Sequence, residues 1–170
     1  EAALSFAGAV SAVDVPGRVA VVDIGGGSTE FVVGTSGVEA AVSENIGCVR
    51  MTERHLHDDP PTGAQVAAAT RDIDAAVSHA LFVTAFAAAD AIVGLAGSVT
   101  TVAALAMDLP EYDPQLIHGS HVDAGDVHEI TSRMLAATRE QRAAEPVMHP
   151  GRVDVIGGGA LVLDRILTLG

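Results

Sequence analysis

Apolar positions fall into three short β-branched runs early in the chain. Arg18 to Ile24 is nearly continuous, Phe31 to Gly34 follows a glycine-rich break, and Gly37 to Ile46 alternates after a Thr-Ser-Gly turn. This pattern predicts three strands in a meander. Ahead of them Leu4 to Val10 is apolar and closes at Val15-Pro16-Gly17, a turn signal, so residues 1–13 are expected to form a helix entering the domain.

The period then changes from two to that of a helix. Cys48 to Leu56 predicts a short helix, stopped by Asp58-Asp59-Pro60-Pro61, and Thr62 or Gly63 opens a long Ala-rich helix to Ala88 with Val66, Ile73, Val77, Ala80 and Leu81 on one face. Ala91 to Ala96 reads as a buried strand, Gly97-Ser98 as a turn and Val99 to Met107 as a helix. Pro110 to Pro114 reads as a loop, Ile117 to Val122 as a short strand or extended piece, and Asp123 to Arg142 as one helix with an acidic first turn suited to its dipole. Val153 to Ile156 then leads through Gly157-Gly158-Gly159 into a last helix, Ala160 to Leu169. A meander followed by alternating strands and helices is the order of an α/β domain of ribonuclease-H-like type, a mixed sheet flanked by helices. No linker or tandem repeat interrupts it, so residues 1–170 are read as a single domain.

Composition narrows this picture. The chain has 170 residues, 49% hydrophobic and only 3% aromatic, so one core must be built from Ala, Val, Leu and Ile rather than rings. Asp and Glu number 22 against 9 basic residues, a formal charge of -13, which disfavours DNA, RNA and anionic membrane surfaces as partners. All nine basic residues are Arg. A phosphate ligand would therefore depend on metal ions, backbone amides or a few placed guanidiniums, because no P-loop-type Lys is available. Cys48 is the single cysteine, which excludes an internal disulfide and suits a small packing residue. No segment reaches the roughly 18 apolar residues of a membrane span, and the start carries neither Met nor a signal-peptide pattern. The expectation is a cytoplasmic protein, and a piece of a longer chain.

The candidate chemistry lies in three glycine turns. In Asp23-Ile24-Gly25-Gly26-Gly27-Ser28-Thr29-Glu30 glycines can take positive φ and approach a bulky anion, and successive N–H groups can form an anion-binding nest. Asp23 and Glu30 bracket that turn. Carboxylates repel phosphate, so the pair makes sense with a divalent cation between them or with one serving as base for water. A tight hairpin whose Asp23 and Ser28 merely satisfy turn amides fits the same residues. The second turn, Gly94-Leu95-Ala96-Gly97-Ser98-Val99-Thr100-Thr101, ends a strand and opens a helix, a place where phosphate binds readily and where Ser98 could equally be an N-cap. The third, Gly157-Gly158-Gly159, could approach a ligand or simply pack closely.

These residues resemble the exopolyphosphatase/guanosine pentaphosphate phosphatase (Ppx/GppA) family, within the actin-like, sugar-kinase-like and heat-shock-ATPase-like (ASKHA) group of folds. The resemblance rests on Glu1-Ala2-Ala3-Leu4, on Asp-Ile-Gly-Gly-Gly-Ser-Thr-Glu at 23–30, on Ile46-Gly47-Cys48-Val49, on the 94–101 turn, on Tyr112-Asp113 with Ile117-His118-Gly119, and on Arg152-Val153-Asp154-Val155-Ile156-Gly157-Gly158-Gly159. It implies removal of the terminal phosphate of linear polyphosphate, or of the 5′ γ-phosphate of pppGpp, by water with Mg²⁺ or Mn²⁺. By the same match Glu1 would be the general base or water orienter. Asp23 and Glu30 would hold the cation and water, while Gly25, Gly26, Gly27 and Ser28, with Gly97 and Ser98, would line the phosphate. The family carries a preceding domain with its own phosphate loop, so this chain would be the second half of the core and inactive or nearly so alone, and its full-length parent would be a homodimer without DNA or membrane partners. An ATP-dependent kinase or ATPase of the same fold, and a non-catalytic polyphosphate or alarmone sensor, are the other two readings.

The remaining polar clusters read as structural. His118 and His121, with Asp123 close by, would point to opposite faces of an extended segment. His55, His57, Asp58 and Asp59 read as exposed punctuation, and Arg50, Arg54 and Arg71 as surface ion-pair partners. Arg152, beside the last glycine turn, is the arginine most worth testing.

Overall fold

The meander exists because its first two β-branched runs bury side chains on both faces, while the third is half-exposed. A computed structural model describes residues 2–12 and 17–170. In it β1 (Val19–Ile24), β2 (Thr29–Gly34) and β3 (Val38–Glu44) pair antiparallel, and β4 (Ala91–Leu95) adds parallel to β1, giving the order β3-β2-β1-β4. One face of β1 and β2, with Val19, Val21 and Val32, packs on Phe6 and Ala9 of α1 (Ala2–Ala12). The other, with Ala20, Val22, Ile24, Phe31 and Val33, packs on the larger helical layer. That layer comprises α2 (Cys48–His55), α3 (Gly63–Thr84), α4 (Ala96–Ala106), α5 (Pro114–Ile117), α6 (Ala124–Ala136), α7 (Arg139–Ala143) and α8 (Ile156–Leu169).

Local chemistry explains most of the boundaries. Thr62 caps α3 through a capping box with Gln65, and the helix stops where Ala85 turns left-handed, the chain closing with a single 3₁₀ turn over Phe86–Ala88. Phe86, buried there, meets Phe31 edge-on at 6.1 Å, so a chain poor in rings still places two of them at the centre of the core.

Four expectations are corrected. Ile117–Val122 is not a strand: Asp113 accepts from the amides of Gln115 and Leu116 and Pro114 follows it, which starts the short helix α5 instead. The helix expected over 123–142 is two helices, because Thr138 and Gln141 form a second capping box that opens α7. Gly97 and Ser98 are not a separate turn but lie in the first turn of α4.

The fourth concerns the third glycine turn. Gly157, Gly158 and Gly159 lie inside α8, not before it, and Val153–Ile156 forms no strand. A Cβ on Gly158 would lie 2.6 Å from Thr52 Oγ1 and 2.9 Å from the Cys48 carbonyl oxygen, and one on Gly159 would lie 2.6 Å from Ser98 Cβ and 3.0 Å from Cys48 Cβ. These glycines let the first turns of α2 and α4 press against α8. Their role is close packing that sets where two helix starts sit.

Candidate phosphate and cation site

Parallel pairing of β1 and β4 sets Asp23 beside Leu95, so the β1–β2 turn and the start of α4 emerge side by side at the carboxyl ends of neighbouring strands. In α/β sheets this is where ligands bind.

Asp23 lies directly opposite Glu30 in the β1–β2 register. Residues so placed on an antiparallel pair project from the same face with Cβ atoms about 4.5–5.5 Å apart, and like charges there are destabilising. Glu30 is further fixed by two hydroxyls on one oxygen: Oε1 accepts from Ser28 Oγ at 2.5 Å and from Ser43 Oγ at 2.9 Å. Ser43 is Glu30's partner on β3, so Asp23, Glu30 and Ser43 form a row across three strands. Two hard oxygen donors held this close suit Mg²⁺, which takes one or two carboxylates and completes its shell with waters and phosphate oxygens. Among the described residues no group of three or more His, Cys, Asp or Glu is arranged for a metal.

The glycine turn itself faces away from this chemistry on one side. The amides of Gly47, Cys48, Val49 and Arg50 donate to the carbonyls of Gly27 (3.3 Å), Gly25 (2.9 Å) and Gly26 (3.0 and 3.1 Å). Three consecutive carbonyls are thus held on the first turn of α2, where they also satisfy its orphan donors. In a planar trans peptide N–H points opposite to C=O, so the amides of Gly26, Gly27 and Ser28 form the other side of the turn. That side can meet an anion without a carbonyl in the way.

The expected reason for these glycines is corrected. Among the described residues only Gly17 and Gly119 are positive-φ glycines, so Gly25, Gly26 and Gly27 are not chosen for left-handed backbone. The tight contact falls on Gly47 instead, where a Cβ would sit 2.6 Å from the Gly27 carbonyl carbon and closer still to Gly26, whereas a Cβ on Gly26 or Gly27 would meet α2 side chains only at 3.4 and 3.5 Å.

At the second turn the strain lies on a different residue. Ala96 has φ +70°, and α4 begins from Leu95 with no side-chain cap. Ser98 is neither cap nor open phosphate ligand through its hydroxyl: it is 4% exposed and its side chain is pressed against Gly159. What lies over this helix start is Arg152. Its guanidinium covers Gly97 closely enough to exclude a Cβ there, and Nη1 donates to Thr101 Oγ1 at 3.4 Å. Tyr112 Oη donates to Thr100 Oγ1 at 2.8 Å on the same turn. Because Ala pays roughly 1 kcal/mol or more for left-handed backbone, Ala96→Gly is expected to raise unfolding stability by about 0.5–1 kcal/mol in urea titration. No gain would mean that the turn relaxes in solution.

Six of the nine arginines find a carboxylate, and Arg50, Arg71 and Arg152 find none among the described residues. Arg18, Arg54, Arg133, Arg139, Arg142 and Arg165 pair with Glu39, Asp72, Glu145, Asp154, Asp59 and Asp74. Those pairs hold several acids below their usual range: Glu39 chiefly through Arg18, Asp59 through the Arg139 amide, Asp72 through His55 and then Arg54. Arg54 thus pairs as its position suggests. Arg50 does not; it donates Nε to the Gly27 carbonyl at 2.6 Å. Arg152 likewise has no carboxylate partner among the described residues, although a guanidinium at the positive end of a helix is unfavourable without an anion. His121 and Asp123 form only an exposed contact of 3.5 Å. Glu1 lies outside the described residues.

The paired acids, the backed glycine turn and the strained helix start on a β3-β2-β1-β4 sheet define the class: a domain of the actin-like ASKHA fold. Solved structures agree. An exopolyphosphatase-like protein superimposes with TM-score 0.94 at 44% identity, covering 98% of this chain and 55% of that one. A Ppx/GppA protein of Aquifex aeolicus superimposes with TM-score 0.89 at 30% identity, covering 97% and 53%. The chain belongs to the Ppx/GppA phosphatase family, whose sequence profile matches residues 1–169. Exopolyphosphatase 2 of Mycobacterium tuberculosis (strain ATCC 25618 / H37Rv) is 48% identical over 167 residues, 98% of this chain and 52% of the relative. A bifunctional 3-dehydroquinate synthase/phosphatase of Fusobacterium nucleatum is 30% identical over 171 residues, 98% of this chain and 26% of the relative. The chain spans about half the length of the exopolyphosphatase it matches.

Sequence reasoning missed Ser43 as a member of the site. Ser43 carries no motif of its own; only strand register brings it to Glu30.

Proposed function

We propose that this chain is the second half of the core of a phosphohydrolase that removes the terminal phosphate of linear polyphosphate, or the 5′ γ-phosphate of pppGpp, with Mg²⁺. The observation that carries the reading is the direct opposition of Asp23 and Glu30 beside two turns at one end of the sheet. Two carboxylates so placed can share a divalent cation beside a bound phosphate.

Hydrolysis asks the protein mainly for in-line positioning and charge neutralisation. The amides of Gly26, Gly27 and Ser28 and of the α4 start receive the oxygens of the terminal phosphate, and Arg152 adds two-pronged donors to the same group. Asp23 and Glu30 would hold Mg²⁺, which supplies positive charge against the phosphate oxygens. Water attacks the terminal phosphorus, the bridging P–O bond breaks, and orthophosphate leaves a chain one unit shorter. Glu1 takes the water's proton, by its place in the family motif. The opposite wall of the cleft would come from the other half of the full-length protein.

The test uses the full-length protein. Orthophosphate release from long polyphosphate and from pppGpp, offered together with Mg²⁺, is expected to be rapid and to stop with EDTA. Glu1→Gln should lower kcat about 100-fold, the small end of a general base's share, because this reaction leaves a base little to do. Unchanged turnover would remove Glu1 from the mechanism. Binding of both substrates without phosphate release would make the protein a sensor, and ATP-dependent phosphorylation of an acceptor would make it a kinase.

A further inference from the structure

Arg50 is the one arginine tied to the glycine turn, and the proposed reaction has not used it. It sits in the first turn of α2 with its amide on the Gly26 carbonyl at 3.1 Å and its Nε on the Gly27 carbonyl at 2.6 Å. These two bonds fix the root and the middle of an otherwise exposed side chain against the turn. One nitrogen, Nη2, lies 3.5 Å from where a Cβ on Gly27 would be, so the guanidinium lies along the rim of the turn.

The donors on Nη1 and Nη2 have no acid partner among the described residues. Glu53 stands one helical turn further along α2 and forms no ion pair with it. In a chain of net charge -13, in which six arginines find a carboxylate, an arginine anchored on a carbonyl with its fork unpaired by any acid among the described residues suits another anion. The anion cannot be the terminal phosphate as seated by the turn's amides, because Arg50 is anchored on the carbonyl side of that turn.

We propose that Arg50 is a specificity residue that grips a phosphate further along the chain than the one being removed, and so favours long polyphosphate over short chains. This rests on the hydrolase reading above and adds the substrate length to it. A guanidinium suits the task because its planar fork takes two phosphate oxygens at once, while its Nε remains on Gly27. A short substrate ends before reaching it.

The experiment compares full-length wild type with Arg50→Gln and Arg50→Lys on tripolyphosphate and on polyphosphate of several hundred units. Arg50→Gln should raise KM for the long chain about tenfold, the size of one lost charged hydrogen bond, and leave KM and kcat for tripolyphosphate within about twofold. Arg50→Lys should restore part of the long-chain affinity through its charge. Equal losses on both lengths, with a lowered thermal midpoint, would show Arg50 to be only a brace for the turn and would overturn the proposal. Calorimetric titration with the long chain separates this from the activity. If wild type binds without releasing phosphate, the hydrolase reading fails, yet a tenfold binding loss in Arg50→Gln still supports the grip; equal binding overturns it.

Discussion

Glu30→Gln in the full-length protein will release phosphate from polyphosphate about 10³-fold more slowly than wild type at low Mg²⁺, while the folded protein keeps or gains stability. The activity loss follows from the cation's share of the barrier: several kcal/mol of charge neutralisation, with each 1.36 kcal/mol a factor of ten, make about 4 kcal/mol a reasonable toll. Stability moves the other way. Gln retains an oxygen for the hydroxyls of Ser28 and Ser43, so both hydrogen bonds survive, while one of two charges facing each other across β1 and β2 is removed. Raising Mg²⁺ should recover part of the rate, because the remaining Asp23 still offers one carboxylate. Kinetics over a Mg²⁺ series, calorimetric Mg²⁺ titration and a thermal melt check the three parts. Wild-type turnover and Mg²⁺ affinity in the variant would exclude Glu30 from the cation site.

Gly47→Ala is expected to be strongly damaging for a single added methyl group. It lowers stability by about 3 kcal/mol and phosphate release with it. The new Cβ would meet the backbone of Gly26 and Gly27, not the movable end of a side chain, so relief requires pushing the turn off α2. That movement also breaks the amide contacts from Cys48, Val49 and Arg50 to the turn's carbonyls. Gly97→Ala is the informative control, because the atoms it would strike belong to the Arg152 guanidinium, which can swing aside. Chemical denaturation distinguishes them: the Gly97 variant should melt near wild type, and equal stability of Gly47→Ala with wild type would mean that α2 does not back the turn.

The legible parts of this protein were those set by short-range pattern. β1 to β3, the α3 start at Thr62-Gly63 and β4 are written in β-branched runs, capping residues and helical spacing, and they stand within a residue or two of expectation, while the helix after β4 starts three residues early. The pairing of Asp23 with Glu30 was also partly legible, since a tight turn between two strands forces its flanking residues together. The third glycine run was misread because three glycines before an apolar stretch look the same whether they leave a loop or let helices touch. Only the neighbours Thr52, Cys48 and Ser98, distant in sequence, reveal the second case.

The same limit applied to Arg50, expected to be a surface ion-pair partner, whose Nε instead goes to the Gly27 carbonyl, 23 residues earlier. Sequence by itself determined the order of elements, the family motifs and the presence of paired acids around a glycine turn, because each depends on residues a few positions apart. Tertiary structure alone decided that the turn's carbonyls face α2, that Ser43 holds Glu30, that Ser98 is buried and that Arg152 covers the α4 start. Those outcomes depend on which distant backbone or side chain arrives first at each donor, and a donor's partner is fixed by packing and not by its place in the chain.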